Sequence, residues 1–230
     1  MTIADQIRQV RSNIEHYCQQ ANRSSDAVKL LAVSKTHPAN AIQEAYESGI
    51  TEFGESYLQE AIDKIKHLQN LPVIWHFIGP LQSNKTRPVA EHFDWVQSID
   101  KPKLLERLNQ QRPAGMRPLQ VCLQANLFNE PQKRGASRAE LLELLAIADS
   151  LPNIQLRGLM VIPPAQADLN KQREQFAYVN QVYQQLQQNY PAMDTLSMGM
   201  SSDIQAAIEN QSNMVRVGTG IFGARQEIKK

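Results

Sequence analysis

Lys35 follows the short apolar run Leu30 to Val33 and precedes His37-Pro38, so it stands where a strand gives way to a loop and then a helix with Pro38 at its first position. A lysine placed there and partly desolvated can lose its proton and attack an aldehyde to form a Schiff base. A solvated lysine at a strand end is the plainer alternative. Two later stretches, Gly199-Met200-Ser201-Ser202 and Gly218-Thr219-Gly220, combine backbone freedom with hydroxyls, as an anion-binding loop requires. Ser202 with Gln205 also fits a helix-capping box, which needs no ligand. Arg216 lies between these stretches, inside the strand run Met214 to Val217, as a ligand-facing cation or as half of a structural ion pair.

The elements that must position these residues alternate with little variation. Ile3, Ile7, Val10, Ile14, Tyr17 and Ala21 recur at helical spacing ahead of any strand and mark a first amphipathic helix, an addition to the repeating unit. Strands are expected at Leu30 to Val33, Thr51 to Phe53, Val73 to Ile78, Trp95 to Ser98, Leu119 to Ala125, Gln155 to Ile162, Thr195 to Ser197 and Met214 to Val217. Helical stretches separate them. One is capped by Asp100 with Pro102 in its first turn, and another is opened by the capping box Ser137 and Glu140. Strands joined through helices pair in parallel by right-handed crossovers. Eight of them without a Gly/Ser/Pro-rich linker predict one α/β domain over 1–230, a closed (β/α)8 TIM barrel with an extra N-terminal helix.

A barrel gathers the loops after its strands on one rim. Lys35 would face the loops after strands seven and eight, where such barrels hold phosphate. An aldehyde-reactive amine opposite a phosphate cradle specifies a phosphorylated aldehyde, and pyridoxal 5'-phosphate (PLP) is the candidate. Arg216 would lie near its ring. Arginine does not give up its proton, so it leaves a pyridine nitrogen unprotonated and the ring a weak electron sink. His76, in the third strand, is a catalytic or cofactor contact or a hydrogen-bonded packing residue. Ser56 with Gln59 resembles a helix cap in front of a ligand.

Composition narrows the classes. A formal net charge of +1 gives no field that draws the whole molecule to nucleic acid or an anionic membrane. The two cysteines, Cys18 and Cys122, are far apart and form no CxxC pair, and the histidines show no HExxH spacing. No segment approaches the ~18 apolar residues that span a bilayer, and the amino terminus lacks the basic and apolar regions of a secretory signal, so the cytoplasm is expected.

Several runs are familiar. Leu31-Ala32-Val33-Ser34-Lys35-Thr36, Phe53-Gly54-Glu55, Trp75-His76-Phe77-Ile78-Gly79-Pro80-Leu81-Gln82-Ser83-Asn84-Lys85, Gly158-Leu159-Met160, Leu196-Ser197-Met198-Gly199-Met200-Ser201 and Val215 to Gly223 together resemble the YggS/PROSC family of pyridoxal phosphate homeostasis proteins. The resemblance runs end to end. It implies the barrel of the alanine racemase amino-terminal domain and a PLP bound covalently through Lys35. It also implies Ser201, Gly218 and Thr219 on the phosphate and Arg216 on the pyridine nitrogen. Family members commonly carry asparagine where Ser56 stands and lysine where His37 stands. Lys133 and Gly135 fall where the family has lysine and glycine, which implies a part for Lys133 in accepting or passing on PLP.

Racemisation needs positioned acid/base groups on both faces of the substrate. Racemases of this shape take the second from an additional β-domain, and here the sequence stops shortly after the eighth strand. The expected function is therefore a monomeric PLP carrier that buffers the free aldehyde and supplies apo-enzymes, with no efficient catalysis. The alternatives are a weak amino-acid racemase or transaminase with its second acid/base near His76 or Tyr57, and a scaffold for a regulatory partner.

Overall fold

Trp95–Ile99 and Met214–Val217 are buried at every position, as strands covered on both faces must be. The structure, a computed structural model, describes residues 1–224; the rest of the expected 1–230 domain lies outside the described residues. Strands β1 (Lys29–Val33), β2 (Glu52–Glu55), β3 (Ile74–Phe77), β4 (Trp95–Ile99), β5 (Leu119–Ala125), β6 (Ile154–Val161), β7 (Thr195–Met200) and β8 (Met214–Val217) close into a barrel in that order. All pairings are parallel, and β8 returns to β1 through Leu31 opposite Arg216. The helices are α1 (Ile3–Gln20), α2 (Ala39–Glu47), α3 (Leu58–His67), α4 (Thr86–His92), α5 (Pro102–Gln111), α6 (Arg138–Ser150), α7 (Leu169–Gln187), α8 (Ile204–Glu209) and α9 (Thr219–Phe222). None is long and apolar enough to cross a membrane.

The barrel expected from the alternation of elements is present, with local corrections at its joints. β7 runs on to Met200 because Gly199, at φ +95°, lets the strand twist against α8, where a Cβ would meet that of Ala207 at 2.5 Å. Pro38 is the cap of α2 and not its first residue, and Lys101, not Asp100, precedes α5. The Ser137–Glu140 capping box forms as expected at α6. Neither expected serine cap does: α3 starts behind Tyr57 and α8 behind Asp203, without a side-chain cap bond.

The first helix is more than an addition. The helix after β8 is a four-residue turn, too short to cover the seam between β8 and β1. α1 packs against α2, α8 and α9 and fills that gap, burying Ile7, Val10, Ile14 and Cys18. One continuous apolar shell lies between strands and helices and includes Phe53, Phe93, Leu105, Leu141 and Phe176.

The barrel interior has a different character. Its apolar residues include a small group, Trp95, Cys122 and Met160, with Ile162 against them, and Met214, whose sulfur accepts from Gln97 Nε2 at 3.1 Å. Beside it lie buried polar residues: His76, Gln97, Ser197 and Arg216. Ser197 on β7 donates to Gln97 on β4 at 2.7 Å, a contact between non-adjacent strands that can only cross the interior.

Candidate functional site

The sequence places Lys35, Ser56, Ser201, Arg216, Gly218 and Thr219 at the ends of β1, β2, β7 and β8. All of them line one cavity of about 340 Å³ at the C-terminal rim of the barrel. Val33, Ile78, Met160, Ile162 and Met200 supply apolar walls, and His37 and Ser202 add polar ones. No carboxylate is among the described lining residues, whereas Lys35 and Arg216 are both basic side chains. Such a cavity selects an anionic ligand with an apolar body.

Lys35 is half-buried and held through its neighbours in the chain. The Ser34 hydroxyl donates to Glu55 Oε1 at 2.7 Å, and its N–H donates to the Gly54 carbonyl at 3.0 Å. Lys64 Nζ reaches the Ser34 carbonyl at 2.9 Å, Glu55 Oε1 at 2.8 Å and Glu60 Oε1 at 2.5 Å. Glu60 in turn accepts the Thr36 N–H at 2.7 Å. Thr36 has φ +68°, a left-handed conformation that a β-branched residue rarely adopts. The bonds on both sides of Lys35 maintain this strain.

Across the cavity, glycines bring two backbone segments close together. A Cβ on Gly218 would lie 3.3 Å from the Val33 carbonyl oxygen, and one on Gly220 would lie 2.9 Å from Val217 Cγ1 and 3.5 Å from Ser201 Oγ. The Met200 N–H donates to Asp203 Oδ1 at 2.5 Å and the Asp203 N–H to the Met200 carbonyl at 2.9 Å, closing the loop that presents Ser201 and Ser202. At the start of α9 the N–H groups of Thr219 and Gly220 have no carbonyl one turn earlier to bond.

Arg216 forms the floor. Nη1 donates to the Ser197 carbonyl at 2.7 Å and the Ser197 hydroxyl at 2.8 Å, and Nη2 donates to the Val161 carbonyl at 3.1 Å. It lines the cavity and makes no ion pair with a described carboxylate. Burial pushes its guanidinium down to about 10, with Asp203 opposing.

His76 does not line the cavity. Strand alternation turns it into the barrel interior, where it stacks on Trp95 with ring centres 5.0 Å apart and bonds Gln97. The packing alternative for this residue is the one the structure shows. Burial holds its imidazole below the usual histidine range. Glu52, a partner that sequence reading missed, faces it.

A model of the alanine racemase amino-terminal domain matches residues 6–226 of the chain. The pyridoxal phosphate homeostasis protein of Pasteurella multocida is 49% identical over 233 residues, covering 100% of both chains. The chain belongs to the pyridoxal phosphate homeostasis protein family. PipY of Synechococcus elongatus, solved with PLP bound, superposes with a TM-score of 0.85 at 40% identity over 96% of this chain and 100% of that one. Alanine racemase of Clostridium difficile superposes at 0.76 with 12% identity, over 97% of this chain and 58% of the racemase, a likeness of fold alone.

Two further residues complete the picture. His37 lines the cavity and stacks on Phe222 at 5.1 Å; in the sequence it stood out only as a replacement for the family's lysine. Lys133, the position implied in passing PLP on, is outside the cavity. Its ammonium is held by the Pro163 carbonyl at 2.9 Å and by Glu130 at 2.5 Å, in a neighbouring recess that shares Ile162 with the Lys35 cavity.

Proposed function

We propose that this protein holds PLP on Lys35, covalently and reversibly, and serves PLP homeostasis by keeping the free aldehyde low and yielding the cofactor to apo-enzymes. One observation carries the reading: a lysine, a glycine-serine-threonine wall and a donor-only arginine face the same cavity, which has no carboxylate among its described lining residues. Its volume falls within the ~300–1,000 Å³ of small-molecule sites. The close approach at Gly218 and Gly220 leaves room for an anion where side chains would intrude.

Bound there, PLP supplies an aldehyde that condenses reversibly with an amine. The residues of the chain do the rest. Lys35 presents the amine at the end of a strand, with both its neighbours anchored. Ser201, Gly218 and Thr219 would offer hydroxyl and N–H donors to the phosphate, Ser56 would add a hydroxyl at the wall, and Arg216 would hold the ring nitrogen with an N–H group it does not spend on Ser197 or Val161. The PLP-bound structure of PipY supports this reading.

Slow chemistry at most follows from the proton inventory. Besides Lys35 and Arg216, the described lining holds one further titratable base, His37, whose pKa burial holds below its usual range. A weak racemase or transaminase reading rests on His37, because His76 lies in the barrel interior and Tyr57 is outside the lining. The carrier reading includes a cytoplasmic monomer without nucleic-acid or membrane partners. Borohydride reduction of PLP-soaked protein, followed by peptide mass analysis, tests it: the adduct is expected on Lys35 and on no other residue at stoichiometric level. Incubation with single-enantiomer alanine separates carrier from enzyme. Sustained conversion that vanishes in Lys35→Ala overturns the carrier.

A further inference from the structure

The polar interior of the barrel forms one chain of contacts from the cavity floor to the first residue of β2, and its direction follows from the donors. Arg216 Nη1 donates to Ser197 Oγ at 2.8 Å. Arginine has no acceptor, so the Ser197 hydroxyl must accept there and send its own proton to Gln97 Oε1, 2.7 Å away. That orients the Gln97 amide, whose Nε2 lies 2.9 Å from His76 Nδ1. An amide nitrogen only donates, so Nδ1 is unprotonated and the neutral ring carries its proton on Nε2. Nε2 stands 3.1 Å from Glu52 Oε2, close enough for charge–dipole attraction but too bent for a hydrogen bond, and neither atom has a hydrogen-bond partner among the described residues. The other Glu52 oxygen faces Lys29 Nζ at 3.3 Å.

Each donor in the chain therefore points away from Arg216 and toward a carboxylate. Aligned hydrogen bonds polarise one another in a low-dielectric interior, and a negative end favours a cation at the other. We propose that Glu52, acting through His76, Gln97 and Ser197, is a positioning residue for Arg216 that keeps its guanidinium charged and fixed so that its remaining N–H groups face the ring nitrogen of the bound cofactor. The effect on the cofactor rests on the PLP reading above; the direction of the chain does not. The charge states agree. Burial opposes it, but His76 and Lys29 hold the Glu52 carboxyl below its ordinary value, while burial keeps His76 neutral.

Two measurements decide this. Nitrogen-15 NMR of the cofactor-free protein, with the His76 ring assigned by a His76→Gln variant, should find a neutral imidazole protonated on Nε2; a proton on Nδ1, or an imidazolium at neutral pH, overturns the chain. In PLP-loaded protein, Glu52→Gln should move the absorption band of the Lys35 adduct and weaken PLP binding by about tenfold, the worth of one charge-assisted hydrogen bond. Glu52→Asp should restore the wild-type band. A folded Glu52→Gln protein with the wild-type band and affinity overturns the proposal. Failure of the wild-type protein to take up PLP would instead count against the function proposed above, and the tautomer would still decide the direction of the chain.

Discussion

The Lys64 ammonium lies 2.8 Å from the Glu55 carboxylate, both buried, directly behind the residue that precedes Lys35. Burial pushes the Glu55 carboxyl up, and Lys64 opposes the shift. A buried pair of this kind adds little net stability, but removing one partner strands the other. Lys64→Met is therefore expected to cost about 3–5 kcal/mol in urea unfolding, and Lys64→Met with Glu55→Leu distinctly less. Both variants release the Ser34 carbonyl and the Glu60 anchor of Thr36, so both should slow PLP uptake at Lys35. Uptake at the wild-type rate in the folded double variant would separate this cluster from the placement of Lys35.

Thr36 itself offers a test of stored strain. A β-branched residue at φ +68° costs on the order of 1–3 kcal/mol, whereas asparagine tolerates that region. Thr36→Asn should raise the unfolding free energy by about 1 kcal/mol, and with it the urea midpoint, since the Glu60 contact is made by the backbone N–H and survives the change. A lower midpoint would mean that the threonine side chain contributes packing that the strain argument omits.

The phosphate wall predicts a change confined to one part of the ligand. A Cβ on Gly220 would press on Val217 Cγ1 at 2.9 Å and lie close to the Ser201 hydroxyl, so Gly220→Ala should shift the two loops apart. Overpacking of this size costs typically ~1–3 kcal/mol. Affinity for PLP and for inorganic phosphate should both fall, while pyridoxal, which lacks the phosphate, should lose little. Equal loss for pyridoxal and PLP would place the phosphate elsewhere.

Much of this was legible in the residues. Alternating apolar runs and helical faces carry the barrel because parallel strands buried on both faces leave continuous apolar signatures. Lys35, Arg216, Ser201, Gly218 and Thr219 stand out because a strand end followed by glycine or a hydroxyl reads locally. The interior does not. His76, Gln97 and Ser197 are polar residues in three separate strands, and nothing in their spacing reveals that they touch. The clamp of Lys64 on the Ser34 carbonyl spans thirty positions and looks like any helical lysine. The sealing role of α1 depended on the helix after β8 being a single turn, a boundary that periodicity cannot resolve.

The buried histidines give the protein a pH dependence with a definite sign. Burial disfavours the imidazolium at His76 and, less completely enclosed, at His37, so both pKa values in the folded chain lie below the ordinary 6.5. Between that value and the lower folded ones, the unfolded chain binds more protons than the folded chain, and stability rises with pH. The contribution is full above about 6.5 and is lost as pH falls below it, until the folded rings protonate in turn. Urea midpoints should drop on going from about pH 7.5 to about pH 5.5, before ordinary carboxylates titrate. His76→Gln should be less stable at the higher pH yet show a shallower drop, because the group that refuses the proton is gone. An undiminished slope in that variant would assign the pH dependence to His37.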